Sequence, residues 1–470
     1  MRIKIVGAAG GEVTGSAYVV QSQRASIIVD AGMFQGGKKS EGKNRLPRGV
    51  DPSQLDAVLL THAHLDHTGR VPLLIKHGFK KRIFATAPTI DLAELVLQDS
   101  ARLQVQDAER ANRKRAHSED RPIEPLYAPE DVTPFRKLAR AVPFAEKIDI
   151  ADGMTARWIE AGHMLGSASI ELTVEENGRK RVILFSGDLG PTTLPIVRIF
   201  EPPASADVVF LESTYGDRDH RPYDETITQF EDLVRSAAEA KGKILVPTFA
   251  IGRSQQILYH LAILFKTGKV RPFHVYLDSP MAIKASTAMV QYPDLFDEEM
   301  LEWKSRGLLP LDKTWFHASV TAKESQRLND VDGPCLILAG AGMCNGGRIL
   351  HHFAQNLYRE STHVMIVGYQ GNGSLGRRLV DGAKSVSIYG EQVSVRASVH
   401  TLNGFSAHAG QSDLLKWFSA LAKSKPKVFL THGENRPRNS LSKRIQEQFR
   451  LVPHLPSQGD VVEDSDIEKI

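Results

Sequence analysis

Four residues of metal-ligating type fall within six positions: His62, His64, Asp66 and His67. They follow the apolar run Val58-Leu59-Leu60-Thr61, which reads as a strand. Residues two apart on an extended chain point to the same side, so His62 and His64 can reach one ion together. Asp66 and His67 come after the chain bends and can serve a second ion nearby. Imidazole combined with carboxylate is the ligand set that suits zinc. One such cluster cannot complete two coordination shells, so more ligands must come from distant positions.

Strand ends followed by glycine turns are where those ligands are expected. Gly162-His163-Met164-Leu165-Gly166, Ser186-Gly187-Asp188-Leu189-Gly190 and Thr431-His432-Gly433-Glu434 each follow an apolar strand. His163, Asp188 and His432 are therefore candidate ligands. Asp188 is suited to bridging, because a carboxylate has two oxygens. Asp30 ends the strand Ile27-Ile28-Val29 and reads either as the orienter of a metal-bound histidine or as a plain turn residue. Two metals roughly 3.5–4 Å apart can share a hydroxide, lower its pKa and hold an attacked phosphate. The same chemistry serves amide, thioester and lactone hydrolysis, so these ligands alone leave the substrate open.

The elements that must position these residues change character along the chain. Strands at 2–6, 17–20, 26–29 and 57–60, a helical region over 89–115, and strands at 155–159, 169–174 and 181–185 predict mixed α/β layers. From about 206, strands at 208–211, 243–246, 274–277, 335–339 and 364–367 alternate with helices such as 226–240 and 254–265. That alternation predicts a parallel sheet and a second domain. After about 383 short strands return at 386–389 and 393–399, followed by a helix from 411 and a strand at 428–430. The densely charged stretch 99–120 reads as a solvated helix, and the acidic last dozen residues read as loose.

Composition sets the outer bounds. A chain of 470 residues predicts two to three domain-sized units. With 41% hydrophobic and 24% charged residues, it is neither disordered nor fibrous. A net charge of +4 permits a polyanionic substrate without demanding one. Cys335 and Cys344 lack paired-ligand spacing and read as buried reduced thiols in a cytoplasmic protein. The first residues lead into a strand rather than a signal peptide, and no stretch is long and apolar enough to span a membrane.

The His-x-His-x-Asp-His run, taken with His163, Asp188 and His432, resembles the metallo-β-lactamase superfamily. Leu211-Glu212-Ser213-Thr214-Tyr215-Gly216 resembles the first signature of its β-CASP subfamily of nucleic-acid nucleases. Pro247-Thr248-Phe249-Ala250-Ile251-Gly252-Arg253-Ser254-Gln255 resembles the start of the inserted domain. Gly342-Met343-Cys344, Gly346-Gly347-Arg348, Gly368-Tyr369-Gln370 and Gly376-Arg377-Arg378 also match. Phe405-Ser406-Ala407-His408 resembles the second signature and Thr431-His432-Gly433-Glu434 the third. The order is kept over nearly the whole chain.

The resemblance implies an αββα metallo-β-lactamase sandwich with an inserted α/β β-CASP domain and the active site in the cleft between them. The expected segments are 1–205 and 384–470 for the sandwich and 206–383 for the insertion. It implies that His62, His64 and His163 hold one metal, that Asp66, His67 and His432 hold the other, and that Asp188 bridges them. Glu212 would pair with His408, which would act as general acid, since a carboxylate favours the protonated imidazole. His400, eight residues earlier, lacks the Phe-Ser-Ala context. Glu212, His408, Asp66 and Asp30 are the expected catalytic group.

Arg253, Ser406 and Arg377 are candidate phosphate contacts, each readable also as a solvated or interface side chain. The glycine-rich run around Gly346 reads as a phosphate cradle or as tight packing of a helix on a sheet. Tyr369 and Tyr215 read as base-stacking or as core residues. The implied cofactors are two Zn²⁺, with Mn²⁺ as alternative, and the implied partner is single-stranded RNA, because the family's RNA-directed members carry histidine where His432 stands. A homodimer is expected by the same likeness, without the large C-terminal domain of RNase J or an N-terminal KH module. The expected activity is a ribonuclease using a metal-bridging hydroxide, endonucleolytic with 5′-to-3′ exonucleolytic action in the same site, in RNA processing or decay. Three alternatives remain. A lactonase or thioesterase would not need Glu212 and His408, a DNA nuclease is disfavoured by His432, and an inactive RNA-binding subunit would have lost ligands that are all present.

Overall fold

The computed structural model describes residues 1–35, 42–115, 121–368, 370–371 and 373–467. The chain divides into two compact units. One contains Met1–Thr192, Ile199–Asp219 and His408–Ile470; the other contains Thr193–Arg198 and His220–Ala407.

The first unit is an αββα sandwich. One sheet runs in the order Val461–Glu463, Arg2–Ile5, Tyr18–Gln21, Ser26–Val29, Ala57–Leu59, Arg82–Ala85, Ala139–Ala141. The other runs Lys427–Thr431, Val208–Glu212, Arg179–Phe185, Ala168–Glu176, Met154–Glu160, Lys147–Ala151. Period-two alternation assigns each strand residue to a layer. Val208 and Phe210 join Ile3, Ile27, Leu59, Trp158 and Phe185 in the core between the sheets. Val209 and Leu211, on the other face, pack with Trp417 and Phe418 of helix Gln411–Ser419 and with Leu441 and Ile445 of helix Asn435–Phe449. Trp158 is fully buried and its indole N–H donates to the Leu60 carbonyl at 3.0 Å, tying the second sheet to the strand end that carries His62.

The acidic tail is not loose among its described residues. Val461–Glu463 pairs antiparallel with Arg2–Lys4, and Arg181 Nε donates to Asp464 Oδ1 at 3.0 Å. An edge strand offers unpaired backbone groups, and Val462 adds a buried apolar side chain; together these outweigh the charge of the sequence.

The second unit is built on a six-stranded sheet in the order Phe316–Ala318, His274–Asp278, Cys335–Ala339, Lys243–Pro247, Thr362–Ile366, Ser398–Thr401, with every neighbouring pair parallel. Helices Arg253–Lys266 and Arg348–Asn356 are among its connections. The stretch 393–399, read as one strand, is divided. Glu391–Ser394 forms a hairpin with Ser385–Ile388, while Ser398–Thr401 is the edge of the large sheet. The hairpin buries Val386 and Ile388 in the same core as Phe353 and Leu379, so residues 384–407 stay with the second unit. At the other boundary, Val208–Glu212 lies between two strands of the sandwich, which keeps 206–219 in the first unit. Among the described residues no helix is long and apolar enough to cross a membrane. Cys335 and Cys344 are both buried and unbridged.

Candidate metal centre

Strands Arg179–Phe185, Val208–Glu212 and Lys427–Thr431 are mutually parallel, and Met154–Glu160 lies two antiparallel steps away, so all four end at one edge. That edge carries Glu212 as the last residue of its strand, and the loops leaving it carry Asp188, His432 and His163. The parallel strands Ser26–Val29 and Ala57–Leu59 end in Asp30 and in Thr61-His62. His64 is the extended N-cap of the short helix Leu65–Thr68, and this is the bend that turns Asp66 and His67 away from the strand direction. Two glycines are required by space and backbone. Gly187 has φ +59° beside Thr61, and a Cβ on Gly32 would fall 1.5 Å from the Asp66 carbonyl oxygen.

Ligand-type atoms from His62, His64, His163 and Asp188 all lie within 4.8 Å of one another, and so do those from Asp66, His67, Asp188 and His432. Asp188 is common to both groups and divides its oxygens between them. Oδ2 faces His62 Nε2 at 3.5 Å and His163 Nε2 at 3.7 Å; Oδ1 faces His67 Nε2 at 3.2 Å and His432 Nε2 at 3.5 Å. His64 Nδ1 lies 3.2 Å from His62 Nε2 and 3.1 Å from His163 Nε2, while His67 Nε2 and His432 Nε2 are 3.2 Å apart. Nitrogens about 2.0–2.1 Å from a tetrahedral zinc lie about 3.3–3.4 Å from each other, so these spacings match the edges of such a shell.

Two further observations fit a divalent cation. Asp188 Oδ1 is buried and, among the described residues, has no well-formed hydrogen bond beyond its approach to His67 Nε2 at 3.2 Å, which is costly for a carboxylate unless a cation supplies the partner. Burial, helped by the neighbouring His67, pushes His62 well below its ordinary pKa, and burial pushes His64 down to about 4. Both are then neutral at physiological pH, the form that ligates. Burial alone would raise Asp188, but His432, His67 and His62 hold it well below the usual carboxylate range. The donor set suits metal ions.

The ligands are themselves held. His67 Nδ1 donates to Asp30 Oδ2 at 2.7 Å, so Asp30 contacts a candidate ligand and is not a plain turn residue. Thr61 Oγ1 donates to the same oxygen at 2.9 Å and lies 3.1 Å from His62 Nδ1, whose proton it can accept. Thr214 Oγ1 donates to the His432 carbonyl at 3.1 Å and accepts from His432 Nδ1 at 3.2 Å. This leaves Nε2 toward Asp188 and braces a histidine whose φ is +51°. Thr61 and Thr214 escaped the sequence reading. The only signal for them is adjacency, Thr61 to His62 and Thr214 to the signature Glu212.

Glu212 and His408 meet beside this centre. His408 Nδ1 is 3.4 Å from Glu212 Oε1 and 3.9 Å from Asp188 Oδ2. Glu212 is aimed by the Leu189 amide at 2.9 Å and the Thr214 amide at 3.1 Å. Burial works to lower the His408 pKa; the Glu212 carboxylate outweighs it, and the pKa is pushed up to about 9. His400 is elsewhere, on the second unit's sheet with His363 Nδ1 3.2 Å from its Nε2.

The proposed substrate contacts belong to the second unit. Arg253 opens helix Arg253–Lys266, is buried and bonds Gln256. Arg377 is exposed and pairs with Asp381 at 3.0 Å. Ser406 is buried, and Gly346 lies in the loop before helix Arg348–Asn356. Tyr369 lies outside the described residues. Tyr215, in the first unit, is largely buried with the Arg218 guanidinium 4.8 Å above its ring.

The chain is similar to known proteins. Residues 10–248 match the metallo-beta-lactamase superfamily, 254–379 the Beta-Casp domain, and 392–456 the Zn-dependent metallo-hydrolase RNA specificity domain. The chain is 39% identical to a ribonuclease of Thermus thermophilus, over 95% of this chain and 96% of that one. It is 29% identical to an RNase J-like protein of Methanocaldococcus jannaschii, over 95% and 96%. It is also 29% identical to a transcription termination factor of Thermococcus kodakarensis, over 98% of this chain and 71% of that protein. A solved structure of a protein of unknown function from Enterococcus faecalis shares the fold, with TM-score 0.55 at 12% identity over 98% and 99% of the two chains. With near-complete coverage on both sides and histidine and carboxylate donors converging at the sheet edge, the chain belongs to the metallo-β-lactamase superfamily and carries its β-CASP domain.

Proposed function

We propose that this chain is a two-zinc ribonuclease that hydrolyses phosphodiester bonds of single-stranded RNA and leaves a 5′-phosphate. The observation that carries this reading is the Glu212–His408 pair set against Asp188, because a phosphodiester has a poor leaving oxygen that needs a proton. The ribonuclease relative at 39% identity supports the choice of polymer.

His62, His64 and His163 would hold one cation, Asp66, His67 and His432 the other, with Asp188 shared between them. Cations held there would supply a nucleophile at neutral pH and neutralise charge on the attacked phosphate. Zinc is favoured by the histidine-rich donor set. Glu212 fixes the His408 Nδ1 proton and stabilises the imidazolium. That leaves His408 Nε2 as the proton-bearing atom that can meet substrate, on a side chain 23% exposed where Glu212 is 1% exposed. That proton would pass to the departing 3′-oxygen.

The test is one single-stranded RNA labelled separately at each end, beside the same sequence as DNA, with added zinc, with added manganese or with chelator. Internal fragments from RNA alone, abolished by chelator, are the expected result; stepwise loss from the 5′ end would make exonuclease action dominant. Cleavage of neither polymer by protein with bound metal would overturn the ribonuclease reading.

A further inference from the structure

The second unit carries a place where its own sheet topology gathers loops. Strands Lys243–Pro247 and Cys335–Ala339 are neighbours, paired in parallel from Lys243–Cys335 to Pro247–Ala339. The chain leaves Pro247 through helix Arg253–Lys266 to strand His274–Asp278, on the far side of Cys335–Ala339. It leaves Ala339 through helix Arg348–Asn356 to strand Thr362–Ile366, on the far side of Lys243–Pro247. The two connections depart in opposite directions, and right-handed crossovers then take them to opposite faces. Open parallel sheets bind ligands in the crevice that such a switch point leaves beyond the carboxyl ends of the strands.

Phe249 stands there, two residues beyond the strand end Pro247. Its neighbours in sequence are buried, yet its side chain is 42% exposed. Its ring rests on the opposite loop. A Cβ on Gly342 would come within 2.8 Å of Phe249 Cδ2 and 2.9 Å of Cε2, and Gly368 lies 3.8 Å from the ring by the same construction. Gly342 has no positive φ, so space for this ring, not backbone conformation, is what asks for glycine. The seat is braced. Gln370 Nε2 donates to the Gly342 carbonyl at 2.8 Å and to the Gly368 carbonyl at 3.3 Å, and Ser254 Oγ donates to the Phe249 carbonyl at 2.8 Å. A large apolar ring seated on a hydrogen-bonded loop and half in water has little conformational freedom left to lose when a partner binds.

We infer that Phe249 is a base-stacking platform on the second unit, taking an unpaired nucleobase of a single-stranded RNA. This rests on the ribonuclease reading. Stacking fits because it asks only for a rigid π-face and tolerates any base. A buried apolar partner would instead call for a continuous apolar patch, and the residues around Phe249 in the opposite loop include exposed Asn345 and Gly347.

The test measures binding of a fluorescent single-stranded oligoribonucleotide by the full chain in chelator, where no cleavage occurs, and then cleavage with metal restored. Phe249→Ala and Phe249→Leu are each expected to weaken binding about five- to a hundred-fold. Phe249→Trp should retain it and show quenched indole fluorescence on adding oligouridylate. Gly342→Val, which crowds the ring from behind, should reproduce part of the loss, and thermal melting checks that each variant is folded. If the wild-type chain binds and cleaves RNA while folded Phe249→Ala and Phe249→Leu bind equally well, the platform is overturned and the ribonuclease reading stands. If the wild-type chain neither binds nor cleaves RNA, both fall together.

Discussion

Each unit buries an aspartate at its sheet, and the two are satisfied in opposite ways. Asp278 ends strand His274–Asp278 in the second unit. One oxygen accepts from Arg348 at 2.7 Å; the other accepts from Ser325 at 2.6 Å and His352 at 2.7 Å. Burial would raise its pKa, and those three donors bring it below the ordinary value. Asp188, in the first unit, is as deeply buried, yet among the described residues its Oδ1 has no well-formed hydrogen bond beyond the approach of His67, and both oxygens look at imidazole nitrogens that face each other. A buried carboxylate with its lone pairs filled by protons is holding the fold together. One whose lone pairs face the lone pairs of imidazoles has the chemistry of a cation ligand. That contrast separates a structural network from a candidate metal centre more sharply than burial or residue type does.

The contrast breaks most visibly at Asp188 itself. Asp188→Asn should lower kcat on RNA about 10²- to 10³-fold, as losing a strong electrostatic group at a reacting centre does. Bound metal, counted by mass spectrometry of the elements, should fall with it. Metal-free wild type and metal-free variant should melt at similar temperatures. A large drop in melting temperature for the metal-free variant would make Asp188 structural too and dissolve the distinction. The converse substitution is Asp278→Ala, which leaves Arg348 and His352 without their carboxylate. It should cost about 3–5 kcal/mol of stability in urea unfolding. Metal content per folded chain should stay unchanged, and a loss of metal would mean that the second unit's network supports the first unit's centre.

How far the sequence disclosed all this depends on whether a signal is local. His62, His64, Asp66 and His67 are legible because strand geometry and one bend act over six residues. His163, Asp188 and His432 are legible because each follows an apolar run and stands beside a glycine. Thr61, beside His62, and Thr214, inside the signature 211–216, are not of ligand type; their value arises only when a distant partner, Asp30 or His432, is placed beside them. The strands Ala139–Ala141, Lys147–Ala151 and Phe316–Ala318 carry little pattern of their own: they are short, mostly half-buried or exposed, and formed by the pairing partner more than by their sequence. The acidic tail failed for the same reason: Val462 is one apolar residue among charges, and the sheet edge at Arg2–Lys4 decides its fate.

The third way to sharpen the comparison lies between the two classes. Glu212 accepts from two amides, like a structural carboxylate, and also faces His408. Glu212→Gln should keep the amide contact at Leu189 and most of the stability, and lower kcat about 10²-fold as expected for weakened general-acid catalysis. The sign of the pH effect follows from the carboxylate raising His408. A general acid works while protonated, so activity is lost as pH rises through its pKa. Without the Glu212 charge that pKa falls, and the basic limb of the kcat profile moves to lower pH. An unshifted limb would remove His408 from the role.

Asp30 gives the smallest effect and the finest test. It touches no candidate cation position directly; it holds His67 through Nδ1 and Thr61 through Oγ1, and Thr61 in turn meets His62. Its influence on the centre is therefore transmitted through one imidazole of each group. Asp30→Asn keeps the shape and can still accept from one donor, but loses the charge that favours a strongly donating His67. Metal affinity, measured by competition with a chromophoric chelator, should fall about 10–100-fold, as loss of such an outer partner does. Both sites should weaken, because Thr61 connects Asp30 to His62 as well as to His67. Loss confined to one of two bound ions would show that the Thr61 link carries no orientation to His62, and that Asp30 serves the His67 side alone.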